Sequence, residues 1–250
     1  MRFDLPGGGH ALFTTRVEGN LSSVGGDDAE HGLWARERLR RQVGVERLLR
    51  GYQIHGTTVQ RVRDGTSKSE RGGGVEFETE TGTELAPDST TQPAVEADGQ
   101  ATDQRGLGAL VLTADCLPVA LSTGGAVAMV HAGWRGLAAG VLEEGVRALR
   151  ELGGEGDLLA VIGPGAGPCC YEVGEEVHAA FAGQSLGTPS RQIPSARRID
   201  LKAIARQRLL AAGASEVEDV AACTICDERF FSHRREGARA GRQGAVAWLS

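Results

Sequence analysis

Apolar residues occur along the chain in short, nearly continuous runs. These runs cover residues 107–112, 126–130, 158–162 and 245–249. The first two are apolar at consecutive positions and partly β-branched, which is typical of strands buried on both faces. Residues 158–162 are predicted as another buried strand, and 245–249 as a final strand. A shorter run at 117–121 is predicted to be broken by Pro118.

Longer stretches with helical spacing of apolar residues lie between the runs. Helices are predicted at Ala29–Val43, 136–152 and 201–212. Asp200 is a suitable N-cap for the third helix, and Gly213 is a suitable residue to end it. Runs of strand type alternating with helices predict an α/β or α+β fold.

One segment does not fit this alternation. Residues 64–96 are rich in Gly, Ser, Thr and Glu and contain few large apolar residues. Such a segment cannot bury enough apolar surface to order itself, so we expect a mobile insertion. Because predicted elements lie on both sides, the chain is interpreted as a single domain, 1–250, that carries this insertion.

Composition and charge exclude several function classes. The net charge of −6 offers no basic face for DNA or RNA. No apolar run reaches the ~18 residues of a membrane-spanning helix, and the first residues lack the apolar core of a signal peptide. The five cysteines, an odd number, do not form a secreted disulfide framework. We therefore expect reduced thiols and a cytoplasmic protein, as a monomer or small homo-oligomer.

Reactive side chains concentrate beside glycine in three short stretches. Residues 53–56 read QIHG, residues 113–118 read TADCLP, and residues 131–136 read HAGWRG. Cys116 and His131 each follow an apolar run, and strand ends are where open α/β sheets place their sites. Two histidines and a thiolate suit zinc, and three ligands would leave a fourth position for water or substrate. We therefore predict a metal site at His55, Cys116 and His131.

These motifs resemble those of the YfiH family, also called the laccase-domain or polyphenol oxidase family. The resemblance covers nearly the whole chain. It includes FTTR at 13–16, ADG at 97–99, IGP at 162–164, YEVG at 171–174, DL at 200–201, CT at 223–224 and FFSHRR at 230–235. The segment at 64–96 looks longer than the usual connection of the family.

The resemblance implies an α+β fold, with mixed β-sheets flanked by helices in a single compact domain. It implies that His55, Cys116 and His131 are zinc ligands. The implied activity is phosphorolysis of adenosine, inosine and methylthioadenosine, with hydrolytic deamination of adenosine as a second activity. Purine nucleosides and phosphate are therefore the expected partners.

Two residues beside the proposed ligands are candidates for roles in catalysis. Asp115 could act as an acid or base, or it could orient a ligand or cap the turn. Arg135 is a candidate clamp for phosphate, and Arg16 and Arg234 could serve in the same way. Cys116 and His131 would take part as metal ligands, or directly if the chemistry uses a thiol.

Three alternatives remain open. Cys116 could be the nucleophile of a thiol hydrolase or amidase acting on a cell-wall precursor, with His131 or His55 as its base. Copper could replace zinc in a polyphenol oxidase, with Met129 near His131, although few histidines remain for a multicopper cluster. A non-enzymatic role is the third alternative. The other cysteines are interpreted as ordinary reduced thiols: Cys169, Cys170, Cys223 and Cys226.

Overall fold

The computed structural model describes residues 1–23, 29–63, 95–182 and 197–250, with the side chains of the first helix described from residue 31 onward. The predicted insertion at 64–96 lies outside the described residues, apart from its last two positions. Its proposed mobility therefore stays a prediction.

Eleven strands and six α-helices occur in the described residues. The strands are β1 (Arg2–Leu5), β2 (Gly9–Phe13), β3 (Arg47–Leu49), β4 (Val59–Val62), β5 (Gly99–Thr102), β6 (Leu107–Thr113), β7 (Leu117–Gly124), β8 (Ala126–Ala132), β9 (Glu155–Ile162), β10 (Ala214–Asp219) and β11 (Gln243–Leu249). The helices are α1 (Ala29–Val43), α2 (Trp134–Ala139), α3 (Val141–Glu151), α4 (Glu175–Phe181), α5 (Leu201–Ala211) and α6 (His233–Glu236).

The strands form two mixed sheets. The five-stranded sheet has the order β1-β2-β11-β6-β3, and the six-stranded sheet has the order β10-β9-β7-β8-β5-β4. Most neighbours are antiparallel, while β3 with β6, β4 with β5, and β10 with β9 are parallel pairs. The expected α+β architecture with mixed sheets is confirmed.

The two sheets pack face to face and are covered by helices on their outer sides. Val111 and Ala247 of one sheet and Met129 of the other share one buried cluster between the sheets. Leu39 of α1 packs on the outside of the five-stranded sheet, and Leu149 of α3 packs on the outside of the six-stranded sheet. The central strands β6, β7 and β8 are therefore buried on both faces, which explains their continuous apolar sequences.

Two predicted elements differ from the structure. Pro118 does not break its strand: it is the second residue of β7, beside His131 of β8, and its carbonyl accepts from the Gly163 N–H at 2.8 Å. The predicted helix at 136–152 is two helices, because Gly140 adopts φ 99° between α2 and α3. A left-handed residue cannot continue a right-handed helix, so the chain turns there.

Helix α5 begins at Leu201 as predicted and ends at Ala211, one residue before the predicted end. The Asp200 carboxylate accepts from the Ala203 N–H at 3.0 Å, and Gly213 adopts φ 97° just after the helix. Within the described ranges, no helix combines the length and apolar character needed to cross a bilayer.

Candidate metal centre

The structure brings His55, Cys116 and His131 to one point. Their potential ligand atoms all lie within 4.8 Å of one another. The two imidazole rings meet edge to face, with centroids 4.9 Å apart and an interplanar angle of 74°. Zinc–nitrogen bonds of about 2.0–2.1 Å and a zinc–sulfur bond of about 2.3 Å require donors this close. The group is therefore compatible with a single metal ion.

Antiparallel pairing of β7 and β8 explains how Cys116 and His131 meet. Cys116 immediately precedes β7, whereas His131 is the second-last residue of β8. The register places Pro118 beside His131, so the start of one strand lies against the end of the other. The sequence predicts that both residues follow strands at one edge of an open sheet. This prediction is wrong for His131, which lies within its strand.

Asp98 orients His131 and is a site residue that the sequence motifs do not predict. β5 pairs antiparallel with β8, with Gly99 opposite Val130, and this register places Asp98 beside His131. The His131 N–H donates to the Asp98 carbonyl at 2.6 Å, and Nδ1 of His131 lies 2.7 Å from the Asp98 carboxylate. Because Nδ1 is held in this way, Nε2 is the nitrogen free to face a metal.

The same carboxylate fixes the loop that carries His55. Asp98 accepts hydrogen bonds from the backbone N–H groups of Ile54 at 3.2 Å, His55 at 2.9 Å and Gly56 at 2.7 Å. His55 has φ 62°, which is uncommon for a residue other than glycine. Three hydrogen bonds to a buried carboxylate hold this unfavourable backbone conformation in place. One side chain thus positions two of the three potential ligands.

Gly133 is needed because a side chain there would enter the site. A Cβ atom at this position would lie 2.8 Å from Cδ2 of His55 and 3.1 Å from the sulfur of Cys116. Gly136 is similarly crowded, since its Cβ would approach the Gly56 carbonyl oxygen to 2.7 Å. The glycines of the HAGWRG motif therefore serve the close packing of the 51–58 loop against the end of β8.

Asp115 ties the site to the C-terminal part of the chain. One carboxylate oxygen accepts from the Thr224 hydroxyl at 2.6 Å; the other accepts from the Ser232 hydroxyl at 3.1 Å and the Arg234 N–H at 2.8 Å. Asp115 has φ 90°, so the residue before Cys116 is also held in an unusual backbone conformation. These contacts are those of a residue that orients its neighbours.

The electrostatics of the group favour an ionised thiol. Burial would raise the pKa of Cys116, but the charge on His131 and hydrogen bonds from both histidines lower it overall. Burial would lower the pKa of His131, but the Cys116 thiolate and Asp98 raise it. Burial would likewise raise the pKa of Asp98, but hydrogen bonds from His131 and the backbone lower it. A thiolate is the form of cysteine that binds metals.

The candidate arginines lie around this group in different environments. Arg135 is exposed, with its guanidinium 4.4 Å from the ring centroid of Trp134. Arg234 lies 4.8 Å from the ring centroid of Tyr171 and donates to the Glu172 carbonyl at 2.6 Å.

Two other arginines are more strongly engaged with the protein. Arg16 pairs with Glu236 and donates to the Phe230 carbonyl at 2.9 Å. Burial lowers the pKa of Arg242, while the negative charges of Cys116 and Asp115 oppose that shift. Arg242 is thus a cation beside the site that the motifs did not identify.

A family model and several named proteins match nearly the whole chain. The model of a family described as multi-copper polyphenol oxidoreductase laccase matches residues 10–250. The chain is 40% identical to a purine nucleoside phosphorylase of Xylella fastidiosa over 259 residues, which covers 98% of this chain and 89% of that protein. It is 32% identical to the purine nucleoside phosphorylase YfiH of Shigella flexneri, with 99% and 97% of the two chains covered.

Solved structures agree with the sequence similarity. A Neisseria meningitidis protein superposes with a TM-score of 0.77 at 30% identity, covering 99% of this chain and 97% of the other. YlmD of Geobacillus stearothermophilus superposes with a TM-score of 0.75 at 33% identity, covering 98% and 94%.

Proposed function

The chain belongs to the multi-copper polyphenol oxidoreductase laccase family, which includes YfiH, and we propose that it is a zinc-dependent purine nucleoside phosphorylase. Its substrates are phosphate and the nucleosides adenosine, inosine and methylthioadenosine, and deamination of adenosine is a second activity. Relatives named purine nucleoside phosphorylase that match nearly the whole chain support this proposal. The observation that carries it is the convergence of His55, Cys116 and His131 on one point.

The donor set fits zinc. One nitrogen of His55, the Cys116 sulfur and Nε2 of His131 would hold the ion, and a fourth position would remain for a ligand from solution. The bound metal would act as a Lewis acid toward an oxygen nucleophile. Copper prefers similar donors, so measuring the metal content of purified protein is part of the test.

Arginines near the site would bind the phosphate. Arg135 is exposed and Arg234 lies over Tyr171, so both guanidinium groups can meet an anion arriving from solvent. Guanidinium groups bind phosphate oxygens in a planar, two-pronged geometry and offset the charge that develops during transfer. Arg16 is a weaker candidate because Glu236 already pairs with it.

We assign Asp115 a positioning role. Its carboxylate accepts from Thr224, Ser232 and the Arg234 backbone, and these contacts hold the 224–234 segment next to Cys116. The segment carries Arg234, so Asp115 also places one of the proposed phosphate-binding residues. A proton transferred to Asp115 during turnover would weaken the hydrogen bonds that hold the 224–234 segment in place.

The test is product analysis with and without phosphate. Purified protein of known metal content is incubated with adenosine, and the products are separated by chromatography. Adenine that appears only with phosphate supports phosphorolysis, and inosine supports deamination. Metal-loaded protein that forms neither product would contradict the proposal.

A matched pair of histidine variants sharpens this test. Nδ1 of His131 lies 2.7 Å from Asp98, and Nδ1 of His10 lies 2.8 Å from Asp4 outside the metal centre. His131→Ala should abolish turnover and metal retention at this site, whereas His10→Ala should preserve both. Full activity of a metal-free His131→Ala protein would refute the assignment.

A second candidate function is supported by one specific observation. Asp98, His131 and Cys116 stand in the order carboxylate, imidazole and thiol, as in thiol hydrolases, where the acid orients the base and the base activates the nucleophile. A hydrolase or amidase acting on a cell-wall precursor would use this set without metal. Metal-free protein that is alkylated at Cys116 by iodoacetamide and, before alkylation, hydrolyses such an amide would favour this candidate.

A further inference from the structure

A second group of metal-binding side chains lies outside the centre described above. The sulfur atoms of Cys169, Cys170, Cys223 and Cys226 all lie within 4.8 Å of one another. The sequence alone predicts four ordinary reduced thiols, since Cys169 and Cys170 are adjacent and lie more than 50 residues before Cys223 and Cys226. All four are free thiols in the structure, but they form one cluster.

Two loops bring the four thiols together. The loop after β9 turns at Gly167, whose carbonyl accepts from the N–H groups of Cys170 and Tyr171 at 3.0 Å each. The second loop pairs with the first through a bridge between Gly165 and Cys223, and the Thr224 N–H donates to the Gly165 carbonyl at 3.0 Å. A turn that ends with the Asp227 N–H donating to the Cys223 carbonyl at 3.0 Å then brings Cys226 back to the cluster.

We propose that Cys169, Cys170, Cys223 and Cys226 bind a zinc ion in a closed, tetrahedral, four-thiolate site. This site is separate from the site at His55, Cys116 and His131, and it does not depend on the proposed activity.

The spacing of the sulfur atoms fits that geometry. Tetrahedral zinc with zinc–sulfur bonds of about 2.3 Å separates its sulfur atoms by about 3.8 Å. The sulfurs of Cys169 and Cys226 are 3.8 Å apart. This separation equals one edge of such a tetrahedron and is far longer than the about 2.05 Å of a disulfide, so the two thiols can share an ion without being bonded to each other.

The surroundings also suit a thiolate site. The Gly167 N–H donates to the Cys223 sulfur at 3.2 Å, as an amide does when it stabilises a metal-bound thiolate. Cys169 and Cys226 are exposed while Cys170 and Cys223 are partly buried, so an ion can enter from solvent and settle on the inner pair. Four protein ligands leave no position for substrate, which is the arrangement of structural zinc.

Residues next to the four cysteines contact the first metal centre and the core. Thr224, next to Cys223, donates to the Asp115 carboxylate at 2.6 Å, and Asp115 directly precedes Cys116. Tyr171, next to Cys170, is buried against the core of the six-stranded sheet. The ion would therefore hold together the two cysteine-bearing loops, which lie beside the first metal centre.

Metal analysis of variants tests the proposal. Wild-type protein purified under reducing conditions should contain about two zinc ions per chain, one for each ligand group. Cys226→Ser and Cys169→Ser should each lower the content to about one, while His55→Ala should also lower it to about one. The double variant His55→Ala/Cys226→Ser should retain almost none.

The pattern of loss separates this site from the first one. Wild-type protein with about one zinc that disappears entirely in His55→Ala would overturn the four-cysteine site but leave the proposed function intact. A Cys226→Ser protein that still holds two zinc ions would also overturn the four-cysteine site.

A measurement on the wild type covers the case in which a serine variant fails to fold. Under native conditions, Cys169 and Cys226 should resist iodoacetamide until a strong chelator is added, because metal-bound thiolates are poor nucleophiles. Peptide mass spectrometry then locates the alkylated residues. Rapid alkylation of the exposed thiols without chelator, or a disulfide within the four, would contradict the proposal.

Discussion

At the scale of single residues, the metal centre depends on Asp98 more than on any other residue that is not itself a proposed ligand. Its carboxylate contacts Nδ1 of His131 and three backbone N–H groups of the loop that carries His55. Two proposed ligands on separate elements are therefore positioned by one buried group with no exposed surface. The arrangement explains how a solvent-exposed histidine on a loop can belong to an ordered site.

We predict that Asp98→Asn weakens metal binding at this centre by roughly 10–100-fold, the usual effect of removing a carboxylate that orients a ligating histidine. The asparagine keeps the size of the side chain but loses its charge. Competition with a chelator of known affinity measures the change. Asp4→Asn is the matched control, because Asp4 makes a similar contact with His10, at 2.8 Å, on the surface. The metal affinity of the Asp4→Asn protein should equal that of the wild type.

Gly133 allows a second prediction at this scale. Its φ of −70° suits alanine, so Gly133→Ala tests space and not backbone strain. The new Cβ would lie 2.8 Å from His55, and we expect metal affinity to fall at least about tenfold as the ligands are pushed apart. Gly56→Ala is the control, because its Cβ would come no closer than 3.4 Å to another atom. Equal metal affinity in the two variants would contradict the steric argument.

At the scale of elements, the central strands could be predicted and the approach of the site residues could not. β6 and β8 are recognisable because burial on both faces removes the polar alternation of their sequences, and the same holds for the second half of β9, whose first three residues are exposed. The register between β5 and β8 has no local signal, so the contact of Asp98 with His131 could not be read from the sequence. The same holds for the four cysteines, because the bridge between Gly165 and Cys223 joins residues far apart in the chain.

Local residue preferences explain which helix predictions succeeded. Asp200 and Gly213 mark the ends of α5 with side-chain and backbone chemistry that acts within a few residues. The sequence does not predict the break at Gly140 between α2 and α3, because glycine inside a helical pattern is tolerated in many helices. Only its φ of 99° reveals the break.

Helix α1 carries a charged group whose effect on stability depends on pH. Hydrogen bonds from Arg40 and Arg41 lower the pKa of the buried Glu37 from 4.5 to about 2, although burial opposes the shift. A carboxylate whose pKa is lower in the folded than in the unfolded protein stabilises the fold at pH values above its pKa in the unfolded chain. This contribution is lost as the pH falls from 4.5 toward about 2.

We therefore predict that Glu37→Gln lowers the melting temperature at neutral pH and that the difference from wild type shrinks as the pH falls through this interval. Thermal unfolding followed by circular dichroism at several pH values measures the difference, and acid release of metal affects both proteins alike. Glu172→Gln is the control, because Glu172 is more than half exposed and pairs loosely with Arg198 at 3.3 Å. A difference in melting temperature between wild type and Glu37→Gln that stays constant at all pH values would contradict the lowered pKa of Glu37.

At the scale of the whole molecule, the fold separates an apolar core from loops that carry the proposed metal ligands. The two sheets and their covering helices bury apolar residues in three clusters, none of which contains a proposed metal ligand. A chain of this size buries roughly 70–75% of its extended surface and needs no metal to fold. His55, by contrast, lies on a loop, Cys116 lies between two strands, and the four cysteines lie on two further loops.

We accordingly predict that removing all metal leaves the protein folded but loosens these loops. After chelation, hydrogen exchange should accelerate in residues 51–58, 163–174 and 221–232, where few backbone hydrogen bonds belong to sheets or helices. Amides of β7 and β8 should stay protected, because both strands are buried and hydrogen-bonded on both sides. Adding zinc back should restore the slow exchange of the loops. Uniform loss of protection in β7 and β8 after chelation would instead mean that the ions hold the core together, and the division between core and ligand-bearing loops would be wrong.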